Sequence, residues 1–243
     1  MKSRLDQELV IRKFVATRSQ AENYIKLGKV TVDGRVIKKP GFFVSENNLI
    51  KLNQEEKYVS RAGLKLASVA NNLGVDFKNK TVLDVGSSTG GFTDYALKHG
   101  AKKVVAVDVG TDQMHPSLRA DPRVELHEKT DVRYLQLSSK PDIILVDVSF
   151  IGLRAVLPSI SMLSKSSTQI ITMVKPQFEA GKADINRGIV KNDSLRRKIL
   201  KDFEVWVKGS FLVVKKADSQ VAGAKGNLER FYHLRIATAR RAS

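Results

Sequence analysis

The chain has 243 residues, 42% of them hydrophobic, and carries 42 basic against 25 acidic side chains, so it can bury one sizeable core plus an appendage while its net +17 attracts polyanions. It has no cysteine, which excludes disulfides and thiolate metal sites, and neither a signal-peptide core at the N-terminus nor an apolar run of membrane-spanning length, so a soluble cytoplasmic protein is expected. The basic excess lies at the ends: 12 basic and 7 acidic groups in residues 1–59, 16 and 13 in 60–186, and 14 and 5 in 187–243.

Residues 3–14 carry helical spacing through Leu5, Leu9, Val10 and Phe14, and residues 19–27 through Ala21, Tyr24 and Ile25. Ser19 and Glu22 predict a capping box, and Gly28 a C-terminal stop. Val30-Thr31-Val32 then meets Asp33-Gly34, a strong hairpin signal, followed by Arg35-Val36-Ile37 and a closing strand over 48–52. This two-helix unit with small strands, residues 1–54, resembles the S4 RNA-binding module in Arg4-Leu5-Asp6, Ser19-Gln20-Ala21 and the run from Ile25 to Gly34. The resemblance implies phosphate contacts from Arg4, Arg12, Arg18, Lys26, Lys29 and Arg35, with Arg61 added from the following domain.

Gln54-Glu55-Glu56-Lys57 has no apolar anchor, so a linker is expected over 55–59 and a second domain over 60–243. That domain opens with a helix turning Leu66, Val69, Ala70 and Leu73 inward, with Lys65 beside the apolar face. Apolar runs at 81–85, 103–108, 123–127, 142–147 and 169–174 then alternate with helical stretches at 91–99, 112–119, 153–163 and 192–206. A hairpin from 211–215 and 231–236 follows. The expected fold is α/β, a Rossmann-like methyltransferase sheet, mostly parallel with a terminal antiparallel hairpin, preceded by the small α+β RNA-binding domain.

The central stretch is Val82-Leu83-Asp84-Val85-Gly86-Ser87-Ser88-Thr89-Gly90-Gly91-Phe92-Thr93. A buried strand ending in an acid and giving way to small residues lets a ligand approach bare backbone at a helix N-terminus. The glycines fall as G-x-x-x-G-G, which disfavours a dinucleotide site. In open α/β sheets ligands bind beyond the carboxyl ends of strands, where Asp84, Asp108, Asp131, Asp147 and Lys175 all sit. Asp108 with Val109 is placed to accept two ribose hydroxyls, and Asp131 with Val132 to meet an adenine edge; helix capping is the alternative for each acid. Asp147 and Lys175 each end a buried apolar strand, so the two predict either a tuned functional pair or a structural salt bridge between strand ends.

Taken together, Ser60-Arg61-Ala62-Gly63-Leu64-Lys65-Leu66, Leu83 to Asp94, Val107-Asp108-Val109-Gly110, Asp121-Pro122-Arg123-Val124, Asp147-Val148-Ser149-Phe150-Ile151, Val174 to Glu179 and Gly226-Asn227-Leu228-Glu229 resemble the TlyA, or haemolysin A, family. Its members are S-adenosylmethionine-dependent ribosomal RNA 2′-O-methyltransferases with an S4 module ahead of an FtsJ-type domain. The resemblance implies a Lys-Asp-Lys-Glu catalytic set at Lys65, Asp147, Lys175 and Glu229. It also implies an S-adenosylmethionine cradle from Asp84, Gly86, Ser87, Ser88, Gly90, Gly91, Phe92, Thr93, Asp108, Val109, Asp131, Val132 and Asp147. In that reading Lys175 contacts the ribose hydroxyl and serves as or assists the base. Asp147 and Glu229 tune it, Lys65 stabilises the oxyanion, and no metal takes part. The expected substrate is a cytidine in ribosomal RNA, the small-subunit RNA first. Two other readings stand beside it: a non-catalytic RNA-binding or ribosome-assembly factor, and a membrane-active haemolysin.

Overall fold

In the computed structural model, residues 2–237 are described apart from 16, 27, 54–56, 181–188, 191 and 224–225. The chain divides into two compact units, Met1–Glu56 and Lys57–Ser243.

In the first unit, β1 (Lys2–Arg4) pairs antiparallel with β4 (Phe43–Ser45), and β3 (Arg35–Val36), β2 (Val30–Val32) and β5 (Ile50–Leu52) form a second small sheet. Helices α1 (Leu5–Ile11) and α2 (Arg18–Lys26) close a core of Leu5, Leu9, Val15, Ala21, Ile25, Val30, Val32, Val44 and Ile50. The Asp33-Gly34 hairpin forms, with φ of 48° and 80° at the two residues, the left-handed pair that a type I′ turn needs. The first helix is shorter than its periodicity predicts. Residues 2–4 are drawn into the β1–β4 ladder and Lys13, at φ 59°, ends the helical path. Thr17, instead of Ser19, stands before the second helix, its Oγ1 accepting the Gln20 N–H at 3.2 Å. The side chain of Ser19 lies outside the described residues, as do residue 27 and, of the expected linker 55–59, residues 55 and 56.

The second unit is built on a seven-stranded sheet. In spatial order it runs β11 (Phe211–Asp218), β12 (Arg230–Ile236), β10 (Gln169–Val174), β9 (Ile143–Val146), β6 (Thr81–Val85), β7 (Lys103–Val107), β8 (Val124–His127). The five strands from β10 to β8 are parallel, and β12 runs antiparallel to both β10 and β11. Successive residues of the central strands face opposite cores. Val82, Val104, Ile143, Leu145 and Ile171 pack toward α3 (Arg61–Leu73) and α4 (Gly91–Lys98), whereas Leu83, Val85, Val105, Ile144 and Ile170 pack toward α6 (Leu153–Leu163) and α8 (Asp193–Val207). Coverage of both faces is why these strands are continuous apolar runs rather than alternating ones. Helix α5 (Pro116–Arg119) is a single turn where 112–119 was expected, because the helix starts at Pro116 behind a His115 cap. Helix α7 (Pro176–Glu179) is another single turn, entered directly from β10. Chain order reverses between β6 and β9, and every residue singled out at a strand end sits along this carboxyl edge.

Candidate active site

Asp84, the penultimate residue of β6, is fully buried, and the chain turns at Gly86 and Gly90, with φ of 79° and 90°. A side chain at Gly86 would put a Cβ 2.5 Å from the Asp147 carbonyl, so the turn after β6, pressed against the chain leaving β9, requires glycine. Thr93 Oγ1 donates to Asp84 Oδ2 at 2.6 Å, and burial pushes the Asp84 carboxyl up to about 7, with the nearby Asp147 charge adding to the effect. Asp84 Oδ1, Ser87 Oγ and Ser60 Oγ are buried with no hydrogen-bond partner among the described residues. All three border one small cavity of about 150 Å³, together with Gly91, Phe92, Asp147, Ser149 and Lys175.

A larger cavity of about 390 Å³ adjoins it, sharing Gly86, Ser88, Asp147 and Ser149, and continues along Asp108, Val109, Asp131 and Val132. Asp108 accepts the Ser88 N–H at 2.8 Å and the Gly110 N–H at 2.7 Å, one on each oxygen, which fixes its carboxylate while leaving lone pairs toward the cleft. Asp131 caps the short turn of 3₁₀ helix Val132–Tyr134 and pairs with Arg133, whose guanidinium holds its carboxyl below the usual carboxylate range. Two expected contacts do not reach either cavity. Gly90 packs beneath Leu118, where a Cβ would come within 2.4 Å, and Thr93 is buried behind Asp84 as its donor. Conversely, Ser60, Gly110, Gln113, Thr130, Ser149 and Phe150 line the clefts without having been picked out. Ser60 and Ser149 lie in blocks the family resemblance marked; Gln113 and Thr130 sit in loops with no pattern.

Two buried ion pairs stand at the same edge. Lys175 Nζ lies 2.6 Å from Asp147 and donates to Ser149 Oγ at 2.7 Å; both charged side chains are little exposed, at 11% and 14%. Lys65 Nζ, from α3, lies 2.9 Å from Glu229, whose side chain is 3% exposed and whose Oε2 has no other partner among the described residues. The last pair in the β10–β12 ladder is Val174 with Arg230, so Lys175 and Glu229 leave neighbouring strands at adjoining positions. Low local dielectric strengthens each pair and makes loss of one partner costly. No group of three or more His, Cys, Asp or Glu side chains suited to a metal occurs among the described residues.

The basic residues divide differently from expectation. Arg12 is a structural clamp: its guanidinium donates to Glu8 and to the carbonyls of Ser45, Glu46 and Asn48, tying α1 to the turn between β4 and β5. Arg4 and Arg18 both hold the buried carboxylate of Asp6, at 2.9 Å each; their hydrogen bonds, Arg4's first, draw that carboxyl down to about 2. Arg61 donates to the Ala222 carbonyl at 2.6 Å and is half-buried, so it too is committed within the fold. Lys26 and Arg35 are exposed, and Lys29 lies 5.7 Å from the Tyr24 ring. A network of ion pairs that saturates arginines in this way was not readable from their spacing.

This architecture has known relatives. The S4 domain family matches residues 3–50 and the FtsJ-like methyltransferase family matches residues 58–236. The chain is 37% identical over 246 residues to the 16S/23S rRNA (cytidine-2′-O)-methyltransferase TlyA of Mycobacterium tuberculosis, spanning 98% of this chain and 92% of that one. It is 42% identical over 182 residues to the 23S rRNA (cytidine-2′-O)-methyltransferase TlyA of Campylobacter jejuni, spanning 73% and 71%. A solved Streptococcus thermophilus protein that carries a hemolysin label superposes with a TM-score of 0.74 at 36% identity, over 97% of this chain and 89% of that one. The chain belongs to the TlyA family of methyltransferases, in which an S4 domain accompanies an FtsJ-like catalytic domain.

Proposed function

We propose that this protein transfers a methyl group from S-adenosylmethionine to the ribose 2′-hydroxyl of a cytidine in ribosomal RNA, in the cytoplasm. The observation that carries the reading is the placement of two buried lysine–carboxylate pairs on adjoining strand ends beside a cleft with the polarity of a nucleoside amino acid. The unpartnered Asp84 Oδ1 and the Ser60 and Ser87 hydroxyls suit the charged amino-acid end, Asp108 the ribose hydroxyls, and Val109 and Val132 the faces of the base. S-adenosylmethionine, when bound there, supplies a methyl group already activated by positive sulfur.

A ribose hydroxyl is a weak nucleophile at neutral pH and must be aligned with the methyl and relieved of its proton. Lys175 meets the hydroxyl. Asp147, 2.6 Å from Nζ, takes up a proton from Nζ as Lys175 takes the proton of the hydroxyl. Ser149 Oγ fixes the direction of Nζ during that exchange. Lys65, held by Glu229, stabilises the developing oxyanion and anchors the adjacent phosphate. Lys26, Lys29 and Arg35 of the S4 domain supply phosphate contacts.

Lys175→Ala tests the assignment. With RNA and cofactor both saturating, methyl transfer falls by about 10² to 10⁴, the usual contribution of a general acid–base group, while cofactor affinity changes by less than about threefold. Transfer at an undiminished rate would overturn the role of Lys175. Mapping 2′-O-methylated nucleotides in both ribosomal RNAs, with and without the protein, identifies the substrate. The small-subunit RNA was the first expectation, and the large-subunit RNA is the one that the names of both TlyA relatives share.

A further inference from the structure

The turn that delivers Asp147 and Ser149 passes through a backbone conformation that its own sequence does not favour. Phe150 has φ 67°, the left-handed region that costs an aromatic residue free energy, and its side chain is 93% exposed, so burial of the ring does not offset that cost. The turn must therefore be held from outside. Before it, the Asp147 N–H donates to the Val85 carbonyl at 2.9 Å. After it, α6 begins at Leu153 behind Gly152, which has no side chain to cap the exposed N–H groups.

The missing acceptor comes from the neighbouring turn. Glu179, the last residue of α7, accepts the Leu153 N–H on Oε1 at 2.7 Å. The two turns are in close approach there: a Cβ on Gly152 would lie 3.4 Å from the Phe178 carbonyl and 3.5 Å from Glu179 Oε2. They touch again at the Phe150 and Phe178 rings, 5.5 Å apart, and at the Lys175 contacts to Asp147 and Ser149. Burial pushes the Glu179 carboxyl up from its ordinary value, opposed by the Leu153 hydrogen bond. Burying this carboxylate costs free energy, which its hydrogen bond from the Leu153 N–H offsets in part.

We propose that Glu179 is a positioning residue, a latch that clamps the 147–152 turn to the 175–179 turn so that Asp147, Ser149 and Lys175 keep their register and Val148 to Ile151 keep the wall of the cofactor cavity. The proposal rests on the methyltransferase reading above for its kinetic consequences, but the latch itself is a property of the backbone. It requires an acceptor at this position and not a charge.

Two variants separate these requirements. Glu179→Gln keeps an oxygen that accepts from Leu153 N–H, while Glu179→Met keeps the chain length without an acceptor. For Glu179→Met, S-adenosylmethionine affinity and kcat each fall about tenfold, within the range of strain held at a left-handed residue, with KM for RNA unchanged. Glu179→Gln stays within about threefold of the wild type because its acceptor survives. Amide hydrogen exchange gives a readout independent of activity: the Leu153 amide is protected in the wild type and in Glu179→Gln, and loses protection in Glu179→Met. An unprotected Leu153 amide in the wild type, a methionine variant that matches the wild type, or a glutamine variant as impaired as the methionine one would each overturn the latch. A wild-type protein that neither binds S-adenosylmethionine nor methylates RNA, yet shows this exchange pattern, would overturn the proposed function and leave the latch standing.

Discussion

Asp84 combines complete burial, one hydrogen bond from Thr93 and one unpartnered oxygen, and its carboxyl is consequently raised from 3.8 to about 7. The folded protein therefore binds this proton across a pH range in which the unfolded chain has released it. Stability contributed by the protonated form is complete below about pH 4 and falls as pH rises toward 7, the opposite of an ordinary paired carboxylate. The gap between the two values corresponds to on the order of 4 kcal/mol. Denaturant unfolding of the isolated wild type between pH 4 and 8 is expected to show this decline, and Asp84→Asn to flatten it; a wild-type profile without the decline would sink the account. At this scale the sequence singled out Asp84, because a carboxylate in a buried strand is conspicuous. It did not distinguish Asp84, buried and partly unsatisfied, from Asp131, whose oxygens are already engaged by Arg133. That difference depends on neighbours brought in by folding.

At the scale of elements, the ends of the parallel strands were legible because apolar runs of four or five residues, one of them interrupted by Thr172, stop abruptly at Asp108, Asp147 and Lys175, and the shorter run Val82-Leu83 meets Asp84. Elements shorter than two periods were not: β1, β4 and α7 have three or four residues each, too few to display a repeat. The packing of α3 on α4 was equally hidden. A Cβ at Gly91 would meet Ser60 Oγ at 2.2 Å, Ala62 Cβ at 2.9 Å and the Gly63 N at 2.9 Å, so the two helix starts are in backbone contact. This contact seats Lys65 one turn further along α3, opposite Glu229. Gly91→Ala should displace α3 and cost about 1–3 kcal/mol, the range for overpacking a close contact, measured by denaturant unfolding. An alanine variant as stable as the wild type would show that the approach is not tight.

For the whole molecule, the net charge of +17 predicts RNA affinity that falls steeply with salt, by about 0.7 in log K per log unit of salt for each phosphate neutralised on a single strand. The structure narrows which cations contribute. Lys26, at 63% exposure and with only a loose 3.6 Å ion pair to Glu22, and Arg35 are open to phosphate, so replacing both by alanine should lower that slope by about 1.4 in a titration with a ribosomal RNA fragment. Arg12→Ala should instead lower the thermal stability of the S4 domain, because its donors hold α1 to the β4–β5 turn. Equal slopes for wild type and double variant would remove Lys26 and Arg35 from the interface.

The sequence by itself determined the two-part organisation, the parallel sheet and the strand ends where polar side chains gather. Each of these follows from local patterns of apolar and small residues, and local patterns survive in one dimension. Only the tertiary structure decided which charges are spent within the fold and which stay exposed. Arg12 and Lys26 look alike along the chain, yet one finds a carboxylate and three carbonyls brought from up to 36 residues away, while the other lies at a solvent-facing helix end. The pairing of Lys65 with Glu229 across 164 residues, and of Glu179 with Leu153 across 26, is decided in the same way. A hydrogen bond depends on distance in space, and the sheet topology sets that distance.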